Sequence, residues 1–167
     1  MQKDKNDPRY EVENPMTKKA LLVISFGTSY AGTRQKTIEA AEQDLAGAFP
    51  AYDLKRAFTS RIVIQKLRNR DHLAINSVTQ AAEQLLNEGY TEVVVQPLHI
   101  LNGSEYHQVL KDLRPCAQKF AHLSIGRPLL TDFADYLAVV NALQPELPIC
   151  LPGEAVLLMG HGSRHPA

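Results

Sequence analysis

Near its end the chain sets a histidine between two glycines, Gly160-His161-Gly162, directly after the apolar run Val156–Met159. An imidazole held that way is exposed, with room beside it for a flat or bulky ligand. Neutral imidazole ligates Co²⁺, Ni²⁺, Fe²⁺ or Zn²⁺, and near pH 7 it also accepts a proton. His165 stands four residues on, but Pro166 disfavours helical backbone there, and no glutamate follows His161 as in a zinc protease. A second group lies in "PLHILNGSEYH" (97–107), which holds His99, Asn102, Gly103 and Glu105. Asn102-Gly103 is a turn signal. Glu105 falls in the first turn of the helix that follows, where a carboxylate complements the helix dipole. His99 reads as a packed imidazole, but beside a second acidic or imidazole group either His99 or Glu105 would hold a divalent cation. The third group is "SFGTS": Ser25, Phe26, Gly27, Thr28 and Ser29. Its glycine lets backbone approach a ligand, and its hydroxyls offer hydrogen bonds. It lacks the glycines of a dinucleotide fingerprint and the lysine of a phosphate loop.

Each group needs a strand tip to hold it, and the apolar pattern supplies one. "KKALLVISF" (18–26) is a continuous apolar run ending at Gly27, as expected of a strand buried on both faces. Ile38, Ala41, Leu45 and Phe49 recur at helical spacing until Pro50. "YDLKRAF" (52–58) predicts a second strand, and Ser60 caps a short helix. Ser77 and Gln80 fit a capping box for a helix closed by Gly89. "TEVVVQPLHI" (91–100) predicts the third strand. Residues 104–121 predict a helix that Pro115 kinks or splits. "LSIGRPLL" (123–130) predicts a weaker strand, and 132–143 a last helix. Alternating strands and helices predict an α/β fold, a parallel sheet flanked by helices with flavodoxin-like topology. Ligands bind beyond the carboxyl ends of such strands, where all three groups fall.

Residues 1–16 are polar and predict a disordered tail, and 17–147 the α/β domain. Residues 148–153, the end of a proline-rich stretch, predict a linker. "ALLVISFGTS" (20–29) lies in register with "AVLLMGHGSR" (155–164), placing Phe26 over His161. The expectation is that 154–167 opens a truncated second copy of the domain. Its uncovered apolar strand would fray or self-associate, leaving open whether the chain forms a homo-oligomer, and the chain alone would not be a competent catalyst.

Lysine plus arginine and aspartate plus glutamate both total 18, so the formal charge is zero. That argues against nucleic acid and anionic membranes as partners. No run is long enough for a transmembrane helix. Cys116 and Cys150 match no metal or redox spacing; read as reduced and packed, they suit a cytoplasmic protein.

Taken together, "KKALLVISFGTSY", "RAFTS" with "IQKLRNRD", "PLHILNGSEY" and "MGHGS" resemble, in order from about residue 17 to 165, the anaerobic sirohydrochlorin cobaltochelatases of cobalamin synthesis. The resemblance implies a class II chelatase, with two similar α/β domains facing a cleft that holds the precorrin-2-derived tetrapyrrole. It implies Co²⁺ as the metal substrate, sirohydrochlorin as partner and no nucleotide cofactor. By the same resemblance His161 matches the first metal-binding histidine, and Glu105 an acidic residue of the first domain that faces the cleft. A second histidine and a carboxylate would lie past residue 167. The residues themselves do not decide Co²⁺ against Ni²⁺ or Fe²⁺. Two other readings stay open: a non-catalytic tetrapyrrole- or metal-binding module, and a flavodoxin-like nucleotide domain using "SFGTS".

Overall fold

The structure, a computed structural model, describes residues 17–160. Its elements are β1 (Lys19–Ser25), α1 (Ala31–Arg34), a π-helical stretch (Gln35–Glu39), α2 (Ala40–Ala48), β2 (Asp53–Phe58), α3 (Arg61–Asp71), β3 (Asn76–Ser77), α4 (Val78–Asn87), β4 (Glu92–Pro97), α5 (Ser104–Ala117), β5 (His122–Ile125) and α6 (Phe133–Leu143). A 3-10 turn, Gln144–Glu146, follows. The strands form one sheet in the order β3-β2-β1-β4-β5. Every pairing is parallel, as the strand–helix alternation predicts. Without the two-residue β3, the four longer strands run 2-1-3-4, the flavodoxin-like order.

The continuous apolar run of β1 follows from its central place. Ala20–Ser25 are all buried, because helices cover both faces. Ala20, Leu22 and Ile24 join Val93 and Val95 of β4 under α4 and α5 in the larger core cluster. On the other face Phe58 packs with Ile64 and Leu67 of α3 and with Ile75. Each fully buried side chain of this size contributes about 1.5–3 kcal/mol. Local signals set the helix starts. Ser60 accepts from the Val63 amide, and Ser77 and Gln80 form the expected capping box. Gly89 takes φ +80 just past α4, a conformation glycine adopts without penalty.

Several expectations need correction. The sheet gains the two-residue β3, which the pattern did not predict, and residues 154–160, expected to open a second domain, form no strand here and expose Leu157 and Met159 at 86% and 92%. An apolar run becomes a strand only when another strand satisfies its backbone, and no neighbour meets it here. The helix read to residue 121 stops at Ala117, two residues after Pro115, whose missing N–H weakens the last turn. The strand read to 130 ends at Ile125, with an isolated bridge from Leu101 to Leu130 beyond it. Cys116 is buried as expected, but Cys150 is exposed.

Candidate functional site

Strand order reverses between β1 and β4, the topological switch point of the parallel sheet. A groove of about 690 Å³ opens there. One wall is Ser25, Phe26, Gly27 and Thr28 at the tip of β1, with Thr33, Thr37 and Ile38 from α1 and the π-helical stretch. The other is Gln96–His99 at the tip of β4, with Arg127, Pro128 and Leu129 after β5. Two backbone hydrogen bonds tie the β5 loop to that tip, Leu129 N to His99 O at 3.0 Å and Leu130 N to Ile100 O at 2.8 Å. Arg127 donates to Asp132 (2.7 Å) and Asp135 (3.1 Å), which fixes the loop to the start of α6.

Gly27 lets the β1 tip turn. Its φ is +90, and a Cβ there would stand 2.7 Å from Phe58 Cγ. Thr59 N and Ser60 N then bond Ser25 O and Phe26 O, holding the tip against β2. Phe26 is left 52% exposed on the groove wall, an aromatic face available for a flat ligand.

Two buried polar groups line the groove without partners. Ser25 Oγ and both ring nitrogens of His99 have no hydrogen bond among the described residues. Such orphan groups are costly unless a ligand or water meets them. His99 is only 9% exposed, and burial pushes its pKa below the ordinary value, against the opposing pull of Glu105. The ring is therefore neutral near pH 7, one nitrogen a donor and the other an acceptor. Below the unfolded value of 6.5 the unfolded chain takes up the proton before the folded one, so stability falls as pH drops through that point. The expected result is a urea midpoint that declines from pH 7.5 to 5.5, by no more than about 1.4 kcal/mol per pH unit from this group. His99→Gln should flatten that decline, and an unchanged slope would count against a buried neutral imidazole.

Glu105 lies in the first turn of α5, as expected. It also accepts from Thr59 Oγ1 at 3.1 Å, reaching across the tip of β1 to the end of β2. Asn102 and Gly103 form the loop before α5 but do not line the groove, and Ser29 is buried behind it. His161 lies outside the described residues. Among the described residues no three metal-ligating side chains converge. Sequence reasoning missed Thr33, Thr37, Gln96 and Arg127. The π-helical stretch that carries Thr37 has no sequence signature, whereas Arg127, ahead of the Asp132/Asp135 cap, could have been suspected.

A sequence model of the family described as cobalt chelatase (CbiK) matches residues 19–167. The chain belongs to the CbiK cobalt chelatase family. It is 45% identical over 150 residues to the sirohydrochlorin cobaltochelatase of Salmonella typhimurium, covering 90% of this chain and 57% of that protein. It is 37% identical over 158 residues to the sirohydrochlorin cobaltochelatase CbiKC of Nitratidesulfovibrio vulgaris, covering 92% and 55%. The chain thus spans little more than half the length of these CbiK relatives. The CbiX protein of Marinobacter aquaeolei VT8, a solved structure, shares the fold at a TM-score of 0.52 and 15% identity, over 77% of this chain and 96% of that one.

Proposed function

We propose that this chain forms one wall of a sirohydrochlorin cobaltochelatase site, acting in cobalamin synthesis in the cytoplasm. The match to the CbiK family over residues 19–167 is the observation that carries the reading. The groove agrees with it in character: an aromatic face at Phe26, and polar groups at Ser25 and His99 that await a partner. Among the described residues no helix is long and apolar enough to cross a membrane.

Insertion exchanges two pyrrole N–H protons for one Co²⁺, which is a substrate here. The cation must shed water, and the protons need acceptors. In this proposal His161 ligates the incoming Co²⁺ through a neutral nitrogen and accepts a proton once the metal has moved into the ring. Glu105, held by Thr59 beside the tips of β1 and β2, draws in the cation or takes up a displaced proton. Phe26 stacks on the ring, and Ser25 and His99 hydrogen-bond its polar edge. Gly27, Thr28, Ser29, Asn102 and Gly103 shape the loops that border it.

The test follows the absorption of sirohydrochlorin with Co²⁺ in a protein of the relatives' full length, against a protein-free control. Acceleration without any nucleotide is expected; a rate equal to the control would sink the proposal. In the same assay Glu105→Gln should lower the rate several-fold at limiting Co²⁺ and less at saturation. A rate unchanged at every cobalt concentration would leave Glu105 with its helix-dipole role alone. A second reading is a module that binds the ring without metallating it, which the aromatic and polar lining of the groove would equally serve. Ring binding by the full-length protein without metallation would select it.

A further inference from the structure

The helix that flanks the groove changes its winding as it passes it. α1, the π-helical stretch Gln35–Glu39 and α2 follow one another without a break from Ala31 to Ala48. Thr33, Thr37 and Ala41, each four residues from the next, line the groove from this side. In an α-helix residues four apart drift by about 40° around the axis, so three of them in succession leave a common line. A π-turn bonds to the fifth residue on and holds more residues per turn. It takes up the drift, and the two threonines and Ala41 stand in a row along the wall. Thr37 Oγ1 donates to Thr33 O at 2.8 Å, which fixes the Thr37 side chain.

π-turns are rare, and this one has an identifiable cause. Arg34 Nε meets Glu39 Oε1 at 3.0 Å, a pair five residues apart. Five residues of α-helix turn through about 500°, which would set the two side chains about 140° apart. The wider turn makes them neighbours. The same Glu39 oxygen lies 3.4 Å from Arg56 Nη1 on β2. Arg56 Nε in turn donates to Glu42 Oε1 at 2.7 Å, and Glu42 is buried. The chain Arg34–Glu39–Arg56–Glu42 thus ties the π-turn to the sheet. It leaves Arg34 Nη1 buried with no partner among the described residues. Ion pairs withdrawn from water add little stability, and their best-attested use is to select one register over another.

We propose that Thr33 and Thr37 are specificity-determining contacts to the polar edge of the ring held in the groove, and that Glu39 is the positioning residue that aligns them through the π-turn. The identity of the ring rests on the proposed function; the control of the turn by Glu39 does not.

Three variants test the proposal: Thr33→Val/Thr37→Val, Glu39→Gln, and the two combined. Valine keeps the shape of threonine, and glutamine that of glutamate. The first measurement needs no ring. NMR contacts along residues 33–41 should show the i to i+5 spacing of a π-turn in wild type and the i to i+4 spacing of an α-helix in Glu39→Gln. An unchanged π-turn in Glu39→Gln overturns the positioning role. The second measurement is sirohydrochlorin affinity, read from the ring's absorption in a protein of the relatives' full length. The threonine pair should bind about tenfold more weakly with its urea midpoint unchanged, as the loss of two hydrogen bonds predicts. Glu39→Gln should lose about as much. The combined variant should lose no more than the threonine pair alone, because Glu39 acts through the threonines, whereas a general loss of stability would add to theirs. Losses that multiply, or a threonine pair that binds as tightly as wild type, overturn the proposal. Should Glu39→Gln fail to fold, Arg34→Gln removes the same pair from its other end and takes its place in both measurements. A wild-type protein that binds no ring ends the proposed function and the threonine contacts with it, whereas loss of the π-turn in Glu39→Gln would still assign that turn to Glu39.

Discussion

Gly27→Val is expected to destabilise the fold by about 2–6 kcal/mol. Two costs add at one position. Residue 27 sits at φ +90, where a β-branched side chain is strained by about 1–3 kcal/mol. The new side chain also drives into the Phe58 ring, which is fully buried against α3, and overpacking of that kind costs a further 1–3 kcal/mol. The tip of β1 would have to shift, carrying Ser25 and Phe26 with it. Gly103→Ala is the contrast: nothing lies within 4 Å of a Cβ there, and its φ of −108 suits any residue. Urea unfolding should show Gly103→Ala within about 0.5 kcal/mol of wild type. Equal effects from the two substitutions would remove the strain argument.

The largest catalytic effect is expected at His161. In a protein of full relative length, His161→Ala should lower cobalt insertion by about 10²–10⁴-fold, the range set by losing a proton acceptor and metal ligand together. Ring affinity should stay within about twofold, because stacking and side-chain hydrogen bonds hold the ring in this proposal. The split between rate and affinity separates delivery of the metal from binding of the ring. An insertion rate near wild type would end the assignment.

Features that depend on local chemistry were legible in the residues. β1 announces itself because a strand buried on both faces must be apolar throughout, and β4 because its centre is a run of β-branched valines. The capping box of α4 reads from a hydroxyl and an amide three residues apart. Features that depend on distant neighbours were not. β3 has two residues, too few for any periodicity. Residues 154–160 carry the apolar pattern of a strand, yet pattern alone supplies no hydrogen-bonding partner. The site divides in the same way. Three strand tips were visible as the place for chemistry, and the structure brings Ser25, Phe26, Gly27, Thr28 and His99 to one groove. The isolation of His99 was not visible, since it depends on burial completed by the β5 loop. Nor was the reach of Glu105 to Thr59, 46 positions apart in the chain.

Whether the groove between β1 and β4 holds the tetrapyrrole is measured most directly by titrating sirohydrochlorin into the protein and following the ring's absorption, in wild type and Phe26→Ala. The expected result is a saturable spectral change at one ring per chain, with affinity about tenfold weaker in the variant, as loss of an aromatic stacking face predicts. A ring that leaves the spectrum unchanged, or that binds the two proteins equally well, is incompatible with a ring site on this face.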